Sequence, residues 1–281
     1  MQTIRSIKKM QAVVKDLARR KKKIAFVPTM GALHEGHLSL IKRAKKAADV
    51  VIVSVFVNPT QFGPKEDFTK YPRDEKNDLK LIRATGGDIV FMPSVEEIYP
   101  EGFETYVVVE NLTKTLEGER RPTHFRGVTT VVSKLFNIVR PDIAVFGIKD
   151  YQQAMVIRKM TRDMNFPTKI ILAPTLREPD GLAMSSRNRY LDHIARWEAV
   201  CLYYALRTAQ EMVRAGIVET RLIAKEMRAV ILATCATAKI DYIAFTEFDT
   251  LKPVEKVVKN TVCSLAVHVH GVRLIDNMKL K

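Results

Sequence analysis

Cysteine is scarce in this chain of 281 residues, and the three present, Cys201, Cys235 and Cys263, lie too far apart to form a C-x-x-C pair. The spacing offers no disulfide framework and predicts reduced, structural thiols in a cytoplasmic protein. Long apolar runs are missing as well. The longest, over residues 50–57, is far too short to span a bilayer. The first ten residues hold no apolar stretch of the secretory type, so no secretory signal is expected. The sequence contains no internal repeat and no low-complexity tract. Acidic residues are few: 31 Asp and Glu face 46 Lys and Arg, a net charge of +15. Such an excess invites a nucleic-acid reading, because phosphate backbones reward clustered cations. Here the basic residues are dispersed along expected helices. The one tight run, 19–23, closes a helix whose C-terminal end favours cations anyway. Neither a nucleic acid nor a membrane is therefore expected as a partner.

What remains is an ordinary globular composition, 47% hydrophobic and 27% charged, in a chain long enough for one large or two modest domains. Apolar periodicity predicts a helix over 7–20, a strand over 23–28, a helix from 38, and a buried strand over 50–57. A helix over 74–84 and a strand over 88–92 follow, then an irregular section to 127. The alternation resumes with a helix over 128–139, a strand over 143–146, a helix over 152–164 and a strand over 169–173. Strands alternating with helices imply parallel βαβ units, so the fold class is α/β, a Rossmann-like doubly wound parallel sheet. Beyond residue 189 two long helical stretches, 194–215 and 219–234, precede strands over 241–248 and 263–269. This change predicts a smaller C-terminal α+β domain, with a boundary near 176–190: residues 1–183 form the first domain and 184–281 a lid domain.

The most informative segment runs Val27-Pro-Thr-Met30-Gly31-Ala-Leu-His34-Glu-Gly36-His37. A strand ends in a Pro/Gly-marked turn, and two histidines open the next helix. A helix N-terminus presents unpaired N–H groups and a positive dipole end, which suits phosphate. Gly31 and Gly36 let the backbone approach such a group. Two other readings remain open for the pair. The histidines could hold a metal, although a helix N-terminus repels cations and no nearby cluster completes a ligand set. They could also simply cap the helix.

Four further segments place polar residues where an expected strand has just ended or within the irregular section. They are Asn58-Pro-Thr-Gln61, Gly147-Ile-Lys149-Asp150-Tyr-Gln-Gln153, Leu176 to Arg187 with Met184-Ser185-Ser186, and Glu117 to His124 with Arg121. Taken singly, each reads equally as turn or capping chemistry. Asp150 suits an N-cap, Met30 a core residue, His124 a packed loop histidine, and Glu117 with Arg121 an ion pair. In open parallel sheets, ligands bind beyond the carboxyl ends of strands, where His34, Asn58 and Lys149 are expected.

Together these motifs resemble the pantothenate synthetase family, within the His-x-Gly-His nucleotidyltransferase superfamily. The resemblance runs from residue 27 to Arg273-Leu-Ile-Asp-Asn277, through Tyr71-Pro-Arg73, Arg121-Pro-Thr-His-Phe125 and Asp180-Gly-Leu-Ala-Met-Ser-Ser-Arg-Asn188. It implies an AMP-forming ligase that adenylates pantoate with ATP and Mg²⁺, then joins it to β-alanine. Catalytic roles would fall to His37, as the acid, His34 and Lys149. ATP would be bound by Met30, Gly31, His34, Gly36, His37, Gly147, Lys149, Asp150, Leu176, Met184, Ser185, Ser186 and Arg187. Pantoate would lie against Gln61, Gln153 and Asn58, and β-alanine against Gln61 and Arg121. The resemblance implies that ATP phosphates and water, not a protein cage, hold the Mg²⁺, that Ser185–Arg187 form a closing loop, and that the protein is a homodimer. One departure is Ile148, where the family commonly has a polar or acidic residue; only its backbone is then expected to serve. His268 and His270 are expected on alternate faces of a strand, not at a metal site. A nucleotidyltransferase that stops after moving AMP is the competing enzyme reading; the Gln61/Gln153 pair and the second domain favour the ligase.

Overall fold

The computed structural model describes residues 1–64 and 66–281. Two compact units emerge, one of Met1–Ile148 with Gln152–Pro174, the other of Lys149–Tyr151 with Thr175–Lys281.

In the first unit the apolar runs become the strands of a six-stranded, wholly parallel sheet. The chain order is β1 (Gln2–Ile4), α1 (Ile7–Arg19), β2 (Ile24–Thr29), α2 (Glu35–Lys45), β3 (Val50–Val55), α3 (Glu75–Thr85) and β4 (Ile89–Phe91). Short helices α4 (Val95–Ile98) and α5 (Glu117–Arg120) follow, then α6 (His124–Val139), β5 (Ile143–Gly147), α7 (Tyr151–Asp163) and β6 (Lys169–Ala173). The spatial order is β1-β4-β3-β2-β5-β6. The chain thus builds outward from β2 in one direction through β3 and β4, and in the other through β5 and β6. Helices α2 and α3 pack on one face around Leu38, Ile41 and Ile82. Helices α1, α6 and α7 cover the other around Met10, Phe136 and Ile157. Burial on both faces explains why the strands read as continuous apolar runs. Helix α6 begins at His124, inside the stretch expected to be irregular, and β1 is too short to show a period.

The second unit holds α8 (His193–Glu198), α9 (Cys201–Arg214), α10 (Thr220–Thr234) and an antiparallel sheet, β7 (Lys239–Glu247), β8 (Thr261–Val269) and β9 (Val272–Lys279). The single helix expected over 194–215 is two helices, broken at Ala199 and Val200. Strand β9 was not anticipated, because its Asp276 and Asn277 look like surface residues and are instead buried. His270 does not lie on a strand face as expected. It begins the two-residue turn between β8 and β9, paired at Val269 and Val272. All three cysteines sit fully buried in this unit's core.

The units part at Pro174, ahead of the expected 183/184 boundary. Residues 175–183 belong to the second unit because Arg177 makes a bidentate ion pair with Asp276 of β9, at 2.6 and 3.0 Å. Lys149–Tyr151 belong there too: Asn277 donates to the Lys149 carbonyl at 2.8 Å, and the Tyr151 hydroxyl donates to the carbonyl of Phe248 at 2.7 Å.

Candidate active site

The loop from β2 to α2 leaves the sheet beside β5, where the strand order reverses. Gly31 takes φ +82° and Ala32 φ +51°, folding the loop back on itself. Beneath it lies Asp78 of α3, 1% exposed, whose two carboxylate oxygens accept the backbone N–H groups of Ala32 and Leu33 at 2.9 and 2.8 Å. A Cβ on Gly31 would lie 2.8 Å from the Asp78 carboxylate, so only glycine fits the turn. Asp78 is absent from the sequence-based site. An Asp in the first turn of an amphipathic helix reads as a dipole-complementing surface residue, and its partners lie over forty positions away.

The loop delivers His34 as the N-cap of α2. Its Nδ1 accepts the Gly36 N–H at 3.1 Å, and the Nδ1 of His37 accepts the His34 N–H at 3.4 Å. An imidazole nitrogen that accepts carries no proton, so both rings are set as the tautomer with hydrogen on Nε2. The rings lie 4.1 Å apart. Capping and phosphate binding, which the sequence left as alternatives, are therefore compatible. One nitrogen of each ring caps the helix, and the other is a donor at the helix N-terminus.

Beyond β3, Asn58 is 1% exposed and Gln61 8%. Asn58 Nδ2 donates to Gln61 Oε1 and to the Gly127 carbonyl, both at 3.1 Å. Its Oδ1 accepts from the Tyr99 hydroxyl and the Thr60 hydroxyl, each at 2.9 Å. The whole Asn58 amide is committed within the protein, and its effect is to fix Gln61. The Gln61 Nε2 points at Met30 Sδ, 2.9 Å away. Gly127 allows this arrangement, because a Cβ there would meet the Thr60 carbonyl at 2.3 Å. Gln153 is half-buried and its amide is taken by none of the described residues, whereas neighbouring Gln152 is consumed by Leu112, Thr115 and Glu117.

Arg121 finds its main partner in Glu66, not Glu117: bidentate contacts of 2.8 and 2.6 Å against a single 4.0 Å approach. Burial pushes the Glu66 carboxyl up, but the Arg121 hydrogen bond and charge, with His124, hold it below the usual value. His124 Nδ1 faces the Gln61 carbonyl at 2.9 Å, and Nε2 faces Arg121 at 3.3 Å. A carbonyl only accepts, so Nδ1 bears the proton and Nε2 receives from Arg121. Burial, then the Arg121 charge, lower the His124 pKa to about 4.

In the second unit, residues 176–184 form a tight hairpin. Met184 N–H donates to the Leu176 carbonyl at 3.0 Å and Glu178 N–H to that of Leu182 at 2.8 Å. Gly181 turns it at φ +97°, against the Tyr203 ring. Ser185 then caps a 3-10 helix, Ser186–Tyr190, through the Arg187 N–H at 3.3 Å. The expected loop of Ser185–Arg187 is thus a short helix start with Ser186 buried. The Lys149 ammonium lies 3.9 Å from the Asp150 carboxylate.

A doubly wound parallel sheet with a helix N-terminus and paired imidazoles at its reversal point defines a nucleotide-binding α/β protein. The family model described as "Pantoate-beta-alanine ligase" matches residues 2–279, and this chain belongs to that family. It is 53% identical to pantothenate synthetase of Moorella thermoacetica over 281 residues, all of this chain and 98% of that one. The fold is similar to the crystal structure of pantothenate synthetase from Thermus thermophilus, with TM-score 0.94 and 43% identity over 100% of this chain and 99% of that one. It is also similar to pantoate–β-alanine ligase from Francisella tularensis, complexed with "Beta-gamma ATP" and β-alanine: TM-score 0.83, 37% identity, 99% and 97% covered.

Proposed function

We propose that this chain condenses pantoate with β-alanine at the expense of ATP, through a pantoyl-adenylate. The observation that supports this most is the placement of His34 and His37 at the N-terminus of α2, each accepting a backbone N–H on Nδ1, which puts the ring proton on Nε2. A carboxylate resists attack by an amine. Adenylation removes that obstacle: the pantoate carboxylate attacks the α-phosphorus of ATP in line, and pyrophosphate leaves. The β-alanine amine then attacks the acyl carbon, and AMP leaves with the anhydride oxygen.

Catalysis of the first step is positioning and charge stabilisation. His34 and His37 donate to phosphate oxygens as negative charge collects on them, and His37 is assigned as the acid. Lys149, Ser185, Ser186 and Arg187 are assigned to the triphosphate. Met30, Gly31, Gly36, Gly147, Asp150, Leu176 and Met184 are assigned to the rest of the nucleotide. Gln61 and Gln153 suit pantoate, whose hydroxyls both donate and accept, as amides do. Asn58 serves by holding Gln61. A β-alanine carboxylate at Arg121 would share the guanidinium with Glu66. Mg²⁺ takes oxygen ligands, and the donors around His34 are imidazoles and amides, while Asp78 is engaged by the loop backbone. The ion is therefore assigned to the phosphate oxygens and water, where it neutralises charge. A homodimer and a cytoplasmic location complete the proposal; no described helix is long and apolar enough to cross a membrane.

Pyrophosphate exchange tests the reading. With ATP and Mg²⁺, labelled pyrophosphate should enter ATP only when pantoate is present, and without β-alanine. His37→Ala should slow exchange by about 10²–10³-fold, the usual cost of one oxyanion donor, with native circular dichroism. Exchange without pantoate, or ADP as product, would overturn the proposal.

A further inference from the structure

Outside the residues assigned above, one group of side chains in the second unit has the donor chemistry of a metal site. Glu198 ends α8, Cys235 follows α10 as its C-cap, and His270 opens the turn between β8 and β9. A carboxylate oxygen, the Sγ and a ring nitrogen of these three lie within 4.8 Å of one another. The His270 Nε2 and Glu198 Oε2 are 2.8 Å apart.

Two features distinguish the group from a surface ion pair. The thiol is buried while the imidazole is exposed, so an ion could reach a sulfur ligand from solvent through a displaceable ring. His270 adopts φ +47° and Gly271 φ +83°, the conformation of a primed hairpin turn, where Asn or Gly is the usual first residue. An imidazole at this position is thereby held over the end of α8.

We propose that Glu198, Cys235 and His270 bind a zinc-type transition-metal dication, with water as the fourth ligand. One nitrogen, one oxygen and one sulfur donor suit Zn²⁺ or Co²⁺ and not Mg²⁺, which avoids sulfur. On binding, the S–H bond breaks, its proton passes to water, and the thiolate joins the carboxylate and the neutral imidazole on the ion. Ligands from α8, α10 and the hairpin turn would then be tied at one point, a stabilising rather than a catalytic role.

Cobalt supplies the test, because a cobalt–thiolate bond absorbs in the near ultraviolet. Full-length protein treated with chelator and titrated with Co²⁺ should develop that charge-transfer band, saturating at one ion per chain and bleached by Zn²⁺. About one proton should be released per ion bound. Cys235→Ser should abolish the band, and His270→Gln, in an exposed turn that should fold normally, should weaken Co²⁺ binding at least about tenfold. Zn²⁺ should raise the melting temperature of the wild type and not of either variant. No band in the wild type, or a band that persists in both variants, would overturn the proposal.

Discussion

Asp78 shows how much one side chain governs here. Its two oxygens hold consecutive N–H groups of the loop that ends in His34. Replacing it with Asn keeps the shape but turns one acceptor into a donor facing an N–H. The loop should then shift, and a displacement of about an ångström at the histidines costs roughly 10²-fold in rate. Asp78→Asn should accordingly lower kcat for pyrophosphate exchange about that much while the KM for pantoate changes little. Asp78→Ala should in addition destabilise the protein by about 2 kcal/mol or more, because buried donors lose their partners. Steady-state exchange kinetics and urea denaturation separate the two effects. Unchanged kcat in Asp78→Asn would mean that the loop holds its own shape.

At the scale of elements, α6 and the turn carrying Gln61 are joined through His124. Its pKa of about 4 lies below the ordinary 6.5, so the native state refuses a proton that the unfolded chain accepts. Above pH 6.5 both states are neutral at this residue and its full contribution is present. Between pH 6.5 and 4 stability should fall, by up to ~3 kcal/mol. Glu66, whose pKa is lowered, acts in a separate window beneath its ordinary 4.5. The loss in urea stability from pH 7 to 5 should therefore shrink in His124→Gln; an equal loss in both proteins would refute the assignment. Elements of this kind were unevenly legible in the sequence. Strands β2, β3 and β5 were readable because both faces are buried and the apolar run is unbroken. The His34/His37 pair was readable because a strand, a glycine turn and a helix are contiguous. Asp78, Glu66 and Asp276 were not, since each is a carboxylate, buried in Asp78 and Asp276 and half-buried in Glu66, whose partner is distant in the chain, and locally each resembles a solvated charge. Strand β9 was hidden for the same reason. The break between α8 and α9 has no proline or glycine to mark it.

For the whole molecule, the alternation of strands and helices foretold the parallel sheet and the change of pattern foretold a second unit, while the division point depended on the Arg177–Asp276 pair. Each unit has its own apolar core. The three buried cysteines have a consequence for anyone who studies unfolding. All of them, and the only tryptophan, Trp197, belong to the second unit. Burial pushes the Cys201 thiol up to about 12 and raises Cys263 as well, so neither is reactive in place. A thiol reagent should leave these two nearly untouched in the native protein and label them on opening. Trp197 is 75% exposed already, so its emission should change little. The chain therefore carries its own chemical clock for one half and none for the other. Labelling rates should follow the opening of the second unit's core alone, and should diverge from far-ultraviolet circular dichroism wherever the parallel sheet holds on longer or lets go sooner.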